Sequence, residues 1–215
     1  MIRRRAFLAT CGALGAALLS RRAIAATAEV LASLRSARQR IRTLQARFEQ
    51  ERTLGLLATR VVSRGELTVV LPGQLRWELL PPDSITWWIT PAGLAYASSR
   101  SRASADRSAA GPMAGVLDDV LVVLGGDPTR LEPRYALEAA LQPDETVRVV
   151  ATPKDSRISA VMRSIEILID RDLISPRRIR MEESSSDRIE IRFSDVRINQ
   201  PVDPARMRPP TEPRP

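Results

Sequence analysis

The chain has no histidine and a single cysteine. That cysteine is Cys11, which lies in a segment that we expect to be removed. The remainder therefore has no Ser-His-Asp or Cys-His nucleophile system, no disulfide bond, and neither haem nor the usual zinc or copper ligand sets. A glycine-rich phosphate loop is missing as well. We predict that the protein is not an enzyme and uses no cofactor and no metal.

Lysine is almost absent too, which affects how the net charge is interpreted. Lys154 is the one lysine among 33 basic residues, a bias that indicates a high-GC genome more than a chemical role. The first 25 residues hold five arginines and no acidic residue, so the rest carries 28 basic and 25 acidic residues. The net charge thus falls from +8 to +3. This balance does not favour a nucleic-acid partner, and we predict none.

The N-terminus has the pattern of an export signal. Three arginines at positions 3–5 precede an apolar run over residues 6–19 and a small-residue site at 23–25. We predict a signal peptide over residues 1–25. Its arginine pair resembles a twin-arginine signal, and a Sec signal is the alternative. No further run of 18 apolar residues follows, so we expect the mature product in the periplasm.

Hydrophobic periodicity predicts two helices and a series of strands. Helical spacing indicates an amphipathic helix over residues 26–43 and an apolar helix over residues 113–124, ended by Gly125-Gly126. Residues 98–112 are expected to form a polar loop. Period-two alternation predicts strands at 44–51, 64–71, 75–79, 85–89, 94–96, 135–141, 146–151, 162–169, 178–182 and 188–193.

The short connections between these strands allow only antiparallel neighbours. Nine or ten such strands with two inserted helices predict a mainly β protein with helices, an open, highly curved antiparallel half-barrel capped by α-helices. We expect one domain over residues 26–200 and a Pro- and Arg-rich tail over residues 201–215.

The apolar face of such a sheet either packs into a filled core or lines a cavity. Only seven aromatic residues remain after the signal, so the interior has little bulk to fill it and a cavity is one interpretation. Acyl chains match it, because each buried methylene contributes about 0.8 kcal/mol and a chain of about sixteen carbons on the order of 10 kcal/mol. An ordinary packed core is the alternative.

Several short segments follow one another over residues 44–202. They are Phe48-Glu49-Gln50; Gly65 with Leu67; Pro72-Gly73 with Leu75-Arg76-Trp77; Pro81-Pro82; Gly93-Leu94 with Tyr96; Thr152-Pro153-Lys154; the strand from Ile165 to Asp170; Pro176; Asp187 with the strand from Ile189 to Phe193; and Asn199 with Val202. None is diagnostic alone. In this order they resemble the LolA family of periplasmic outer-membrane lipoprotein carriers.

The resemblance implies the half-barrel of LolA and LolB, with a hydrophobic cavity that shields the acyl chains of a lipoprotein during transfer toward the outer membrane. It implies an inner-membrane exporter and an outer-membrane acceptor as partners, and we expect a monomer. For each residue taken singly, a place in the core is the alternative. On this mapping the lipid-binding cavity is lined by Phe48, Leu67, Val69, Leu71, Leu75, Trp77, Met113, Leu117 and Leu121.

One position departs from the family pattern. The resemblance implies an arginine immediately before Pro72 that hydrogen-bonds the helical lid, whereas this chain has Leu71. Arg76 lies an odd number of residues further along and so on the opposite face of the strand. We therefore expect a lid that is held by apolar contact alone.

Three other functions stay open at this point. The first is a carrier of another acylated molecule. The second is a lipid-sensing regulator or scaffold on the same fold. A similar half-barrel occurs in a regulator that has an additional domain, and we expect this chain to have no room for one. An enzyme would depend on Asp118 and Asp119. The side chains of these adjacent helical residues point about 100° apart around the helix axis, so the two carboxylates cannot lie on either side of one substrate bond. We expect both residues on the solvent face of the helix.

Overall fold

The computed structural model describes residues 10–55, 59–106, 112–184 and 187–210, without the side chains of residues 10–23 and 112–118. Three α-helices lie in this part of the chain: α1 (Thr10–Arg38), α2 (Pro112–Gly125) and α3 (Ser156–Ser159). Two 3-10 turns cover Pro128–Leu131 and Pro204–Met207. The described strands are β1 (Thr43–Leu54), β2 (Thr59–Val70), β3 (Gln74–Leu79), β4 (Ile85–Thr90), β5 (Gly93–Ser98), β6 (Arg102–Asp106), β7 (Tyr135–Leu141), β8 (Val147–Pro153), β9 (Met162–Ile169), β10 (Pro176–Glu183) and β11 (Arg188–Ile198).

All described strands form one antiparallel sheet in the order β6-β5-β4-β3-β2-β1-β11-β10-β9-β8-β7. Most neighbours are consecutive in the chain, and the pairing of β1 with β11 joins its two halves. The edge strands β6 and β7 are also consecutive, and α2 lies in the connection between them. The sheet is therefore an open half-barrel whose unpaired side is crossed by a helix. The predicted fold class is confirmed.

Alternation along the strands separates an inner apolar face from an outer charged face. In the first two strands Leu44, Phe48, Leu67 and Val69 are buried, whereas the residues between them include arginine and glutamate. Gly65 is required where these strands meet. A Cβ atom there would lie 2.2 Å from the Phe48 ring, so the missing side chain leaves the space that the ring occupies.

The first helix differs from the prediction at both ends. It begins at Thr10, within the predicted signal, and ends at Arg38 instead of residue 43. Beyond the helix the chain is held by Asn199, which follows β11 and accepts hydrogen bonds on its side-chain oxygen from the main-chain nitrogens of Arg42 (2.7 Å) and Thr43 (3.4 Å). These contacts align the start of β1 beside the end of β11.

The predicted loop over residues 98–112 was wrong in its central part. Residues Arg102–Asp106 form β6, which pairs with β5 along the sheet edge. Four of the five β6 residues are exposed, and the alternation in its sequence consists of two small alanines, Ala103 and Ala105, between polar residues, which is too weak to reveal a strand. Its pairing with β5 makes it a strand.

The tail predicted over residues 201–215 packs against the sheet as far as the structure describes it. The 3-10 turn at Pro204–Met207 covers the outer face of β3 and β4. The Trp88 indole nitrogen donates a hydrogen bond to the Arg206 main-chain oxygen (3.0 Å), and Met207 is buried. Trp88 is consequently buried although it points away from the inner face.

Candidate functional site

An apolar cavity of about 510 Å³ lies between the inner face of the sheet and α2. Its walls are formed by β3 to β5 from one half of the chain and β9 to β11 from the other, with β1 between them. Gln50 is the one hydrogen-bonding side chain on its wall apart from the indole nitrogens, among the residues that the structure describes. The wall consists of Gln50, Leu75, Trp77, Leu79, Trp87, Ile89, Leu94, Val120, Val123, Met162, Ile165, Ile179, Met181, Ile189 and Ile191.

Helix α2 covers the cavity with Val120 and Val123. Its first anchor is Asp119, which is 1% exposed. The Tyr135 hydroxyl donates a hydrogen bond to Asp119 Oδ2 (2.8 Å), and Arg134 forms an ion pair with the same carboxylate. The pKa of Tyr135 is raised, first by burial of the phenol and then by the adjacent Asp119 carboxylate.

The expectation that Asp119 faces solvent was therefore wrong. Its carboxylate is tolerated in the interior because Tyr135 and Arg134 at the start of β7 compensate the lost hydration. The side chain of Asp118 lies outside the described part of the chain.

The second anchor of α2 is Arg38, a buried residue at the end of α1. Its Nη1 donates to the main-chain oxygens of Val123 (3.3 Å) and Gly126 (3.5 Å), and its Nε donates to that of Leu173 (3.3 Å). Burial lowers the pKa of Arg38 to about 10, and the Asp172 carboxylate raises it in part. Three segments are thus tied together by one guanidinium.

These bonds overturn the expectation of a lid held by apolar contact alone. Position 71 carries leucine where the family resemblance implies an arginine. Arg38 of α1 instead makes the polar contacts at the C-terminal end of α2. Leu71 packs beside that end of α2. Its Cδ1 atom lies 3.7 Å from the point that a Cβ atom would occupy if Gly125 carried a side chain.

A second pocket of about 560 Å³ adjoins this end of α2. Leu71 and Leu121 line it together with four arginines, at positions 35, 38, 42 and 130. Neither leucine borders the apolar cavity, because they lie on the other side of the helix from Val120 and Val123.

The structure separates the remaining predicted cavity residues into three groups. Leu75 and Trp77 border the apolar cavity. Phe48, Leu67 and Val69 are buried in the adjoining core, with the Phe48 ring centroid 4.1 Å from that of Trp77. Met113 and Leu117 belong to α2, but their side chains lie outside the described residues.

Sequence reasoning missed the wall formed by β9, β10 and β11. The alternation of Ile165, Ile167 and Ile169 predicts the strand correctly, but it does not say which cavity the inner face borders. Only the pairing of β1 with β11 brings these strands beside Gln50. The isoleucine-rich composition of the strands is the one signal that could have suggested it.

No helix in the described part of the chain combines the length and apolarity needed to cross a membrane. Within those same residues, no group of three His, Cys, Asp or Glu side chains is placed to hold a metal ion.

Two solved structures with low sequence identity share this architecture at a TM-score above 0.5. The crystal structure of MucB is similar at 16% identity and a TM-score of 0.51, over 87% of this chain and 64% of that one. An uncharacterized conserved protein from Thermus thermophilus has 10% identity and a TM-score of 0.51, over 86% of this chain and 95% of that one. A LolA superfamily protein from Nitrosomonas europaea has 9% identity and a TM-score of 0.43, over 82% and 95%.

This chain spans less than two thirds of MucB, and 61% of the chain that it matches in the complex structure of Pseudomonas aeruginosa MucA/MucB. At these identities the likeness concerns the fold. No curated protein sequence matches the chain significantly. The model of one family, described as outer membrane lipoprotein carrier protein LolA, matches residues 39–208. With its half-barrel, its helix over the inner face and this match over most of its length, the chain belongs to the LolA family.

Proposed function

We propose that the protein is a periplasmic carrier that shields the acyl chains of a lipoprotein in its cavity and moves them toward the outer membrane. The observation that carries the proposal is the apolar cavity of about 510 Å³ beneath α2. Its volume falls in the range of ligand sites, roughly 300 to 1,000 Å³. Its aliphatic and aromatic wall matches acyl chains, which need no directional contact to gain free energy from burial.

The family membership supports lipoproteins as the cargo, with an inner-membrane exporter that loads the protein and an outer-membrane acceptor that receives the cargo. The two anchors of α2 support a cover that is held in place at rest. Helix α2 also packs through the buried side chains of Leu121, Val122, Val123 and Leu124, so an acyl chain that enters beneath the helix would exchange some of these apolar contacts for contacts with itself.

The experiment is take-up of an acylated lipoprotein from inner-membrane vesicles by the purified protein. Mass spectrometry of material purified without detergent gives the occupancy and the chemical class of the bound lipid. We expect the wild type to acquire cargo. Ile179→Trp, which fills the cavity from β10, is expected to abolish take-up. Leu141→Trp is the matched control, because Leu141 is 63% exposed.

An empty wild-type protein that fails to acquire lipoprotein would overturn the proposal. Recovery of a different acylated molecule would keep the binding role and change the cargo. Co-purification of a membrane protein in place of lipid would favour a regulatory or scaffold role.

A further inference from the structure

Gln50 is the exception on the wall of the apolar cavity. It lies on β1, two residues after Phe48, so its side chain belongs to the inner face of the sheet. Ile191 of β11 is its neighbour on one side and Ser63 of β2 its neighbour on the other. Ser63 is 8% exposed and has the same inward parity as Leu67.

Neither side chain has a hydrogen-bond partner among the residues that the structure describes. Both groups keep accessible polar surface, since Arg38 Nη2 is the one buried side-chain nitrogen or oxygen without a partner in the described part of the chain. An acyl chain that excluded solvent from them would leave an amide and a hydroxyl in apolar surroundings, which is unfavourable. Valine or leucine would suit this position better if the cavity were only a packed interior. A molecule in the cavity that offers a hydrogen-bonding group at this point would compensate Gln50 on the wall and Ser63 beside it, which adjoins Gln50 across the strand pair but does not itself line the cavity.

The two side chains define the chemistry of that group. The Gln50 amide and the Ser63 hydroxyl both donate hydrogen bonds, and cross-strand neighbours lie about 5 Å apart at Cβ. A carbonyl oxygen has two acceptor positions and can take a bond from each of them. Acyl esters and acyl amides carry such a carbonyl at the end of the hydrocarbon chain.

A charged head group fits the position less well. Arg52 is the next inward residue of β1, and its guanidinium lies 3.7 Å from the carboxylates of both Glu183 and Asp187. Its charge is already neutralised by these two groups. The described wall of the cavity contains no arginine or lysine.

We propose that Gln50 and Ser63 form a polar subsite that binds the carbonyl group of an acyl ester or amide whose hydrocarbon chain occupies the cavity. This inference rests on the proposed acyl-binding function. It assigns a direction to the bound chain, with the carbonyl at β1 and β2 and the hydrocarbon between β3 to β5 and β9 to β11.

The test compares two ligands of equal chain length, methyl palmitate and hexadecyl methyl ether, which lacks the carbonyl. Their affinities are measured by displacement of the fluorescent probe N-phenyl-1-naphthylamine from the full chain. We expect the wild type to prefer the ester by about tenfold, the effect of one or two neutral hydrogen bonds. Gln50→Leu should reduce the preference to about onefold while it keeps the affinity for the ether.

Ser63→Ala provides a second variant and should retain part of the preference. Gln74→Leu is the matched control, because Gln74 follows the outward parity of Arg76 on β3 and should behave as the wild type. Equal affinity of the wild type for both ligands, or an unchanged preference in Gln50→Leu, would overturn this inference and leave acyl binding intact. Failure of both ligands to displace the probe would refute the acyl-binding function and this inference with it.

Discussion

Replacement of Arg38 by methionine is expected to change the stability at neutral pH very little, although this arginine ties three segments together. Two opposing effects nearly cancel. Burial lowers the pKa of Arg38 from 12.5 to about 10, which corresponds to about 3 kcal/mol against the charged form. Its three hydrogen bonds have lengths of 3.3 to 3.5 Å, so we assign about 1 kcal/mol to each.

Methionine removes both effects and fills most of the same volume. We expect the free energy of unfolding of Arg38→Met in urea at pH 7 to lie within about 1 kcal/mol of the wild type. Arg38→Ala leaves a void and should lose about 2 to 5 kcal/mol more. Arg35→Met is the control, because the Arg35 side chain is 57% exposed and pairs with Asp127 at 3.3 Å.

The pH dependence separates these variants. The pKa of Arg38 is lower in the folded chain than in the unfolded chain, so the unfolded chain binds more protons above pH 10. The wild type should therefore gain about 1 kcal/mol relative to Arg38→Met between pH 9 and pH 11. A loss of more than about 3 kcal/mol in Arg38→Met at pH 7, or a difference from the wild type that is constant with pH, would refute this reasoning.

Two further substitutions test how the strands and α2 are held. Gly65→Ala places a Cβ 2.2 Å from the Phe48 ring, so we expect a loss of about 1 to 3 kcal/mol in urea unfolding, and an unchanged midpoint would contradict the packing described for this glycine. Tyr135→Phe removes the buried hydrogen bond to Asp119 and should cost about 1.5 to 3 kcal/mol in thermal or urea unfolding. Tyr96→Phe is its control, because the Tyr96 hydroxyl contacts Ser101 at an exposed site, and equal losses in both variants would show that Asp119 is not an anchor.

Alternation predicted the strands best where one face is buried and the other is charged. The predicted limits of β7 (Tyr135–Leu141) and β9 (Met162–Ile169) agree with the structure at both ends. In β9 the inner face buries Ile165, Ile167 and Ile169, whereas β7 is buried at Tyr135 and Ala139 and ends at the exposed Leu141. The β6 strand is almost wholly exposed, and its one alternation, Ala103 and Ala105 between polar residues, does not distinguish a strand from a loop.

The candidate site was harder to predict than the fold because it depends on contacts between distant parts of the chain. The tryptophan-rich strands predict an apolar wall, and Leu75 and Trp77 do border the cavity. The opposite wall comes from residues more than 80 positions further along, which reach β1 only through β11. A sequence pattern describes the period of a strand but not its partner.

Asp119 and Arg38 show a second limit. Charged side chains on amphipathic helices are usually solvated, which is the expectation made for Asp119. Arg38 differs by spacing, because it lies four residues after Leu34 on the apolar stripe of α1. Partners from elsewhere in the chain compensate the Asp119 carboxylate and the Nε and Nη1 groups of Arg38, while Arg38 Nη2 is buried without a hydrogen-bond partner among the described residues. Such pairs become visible only when the distant segments are in place.

The most direct test of lipid carriage is to locate a bound acyl chain by photo-crosslinking. A lipoprotein with a diazirine group in one acyl chain is loaded onto the wild type and irradiated, and the crosslinked peptides are identified by mass spectrometry. We predict crosslinks to cavity residues of β3 and β10, among them Trp77 and Ile179, and their loss in Ile179→Trp. Crosslinks confined to the outer face around Trp88, or an equal pattern in Ile179→Trp, would contradict carriage of acyl chains within the half-barrel.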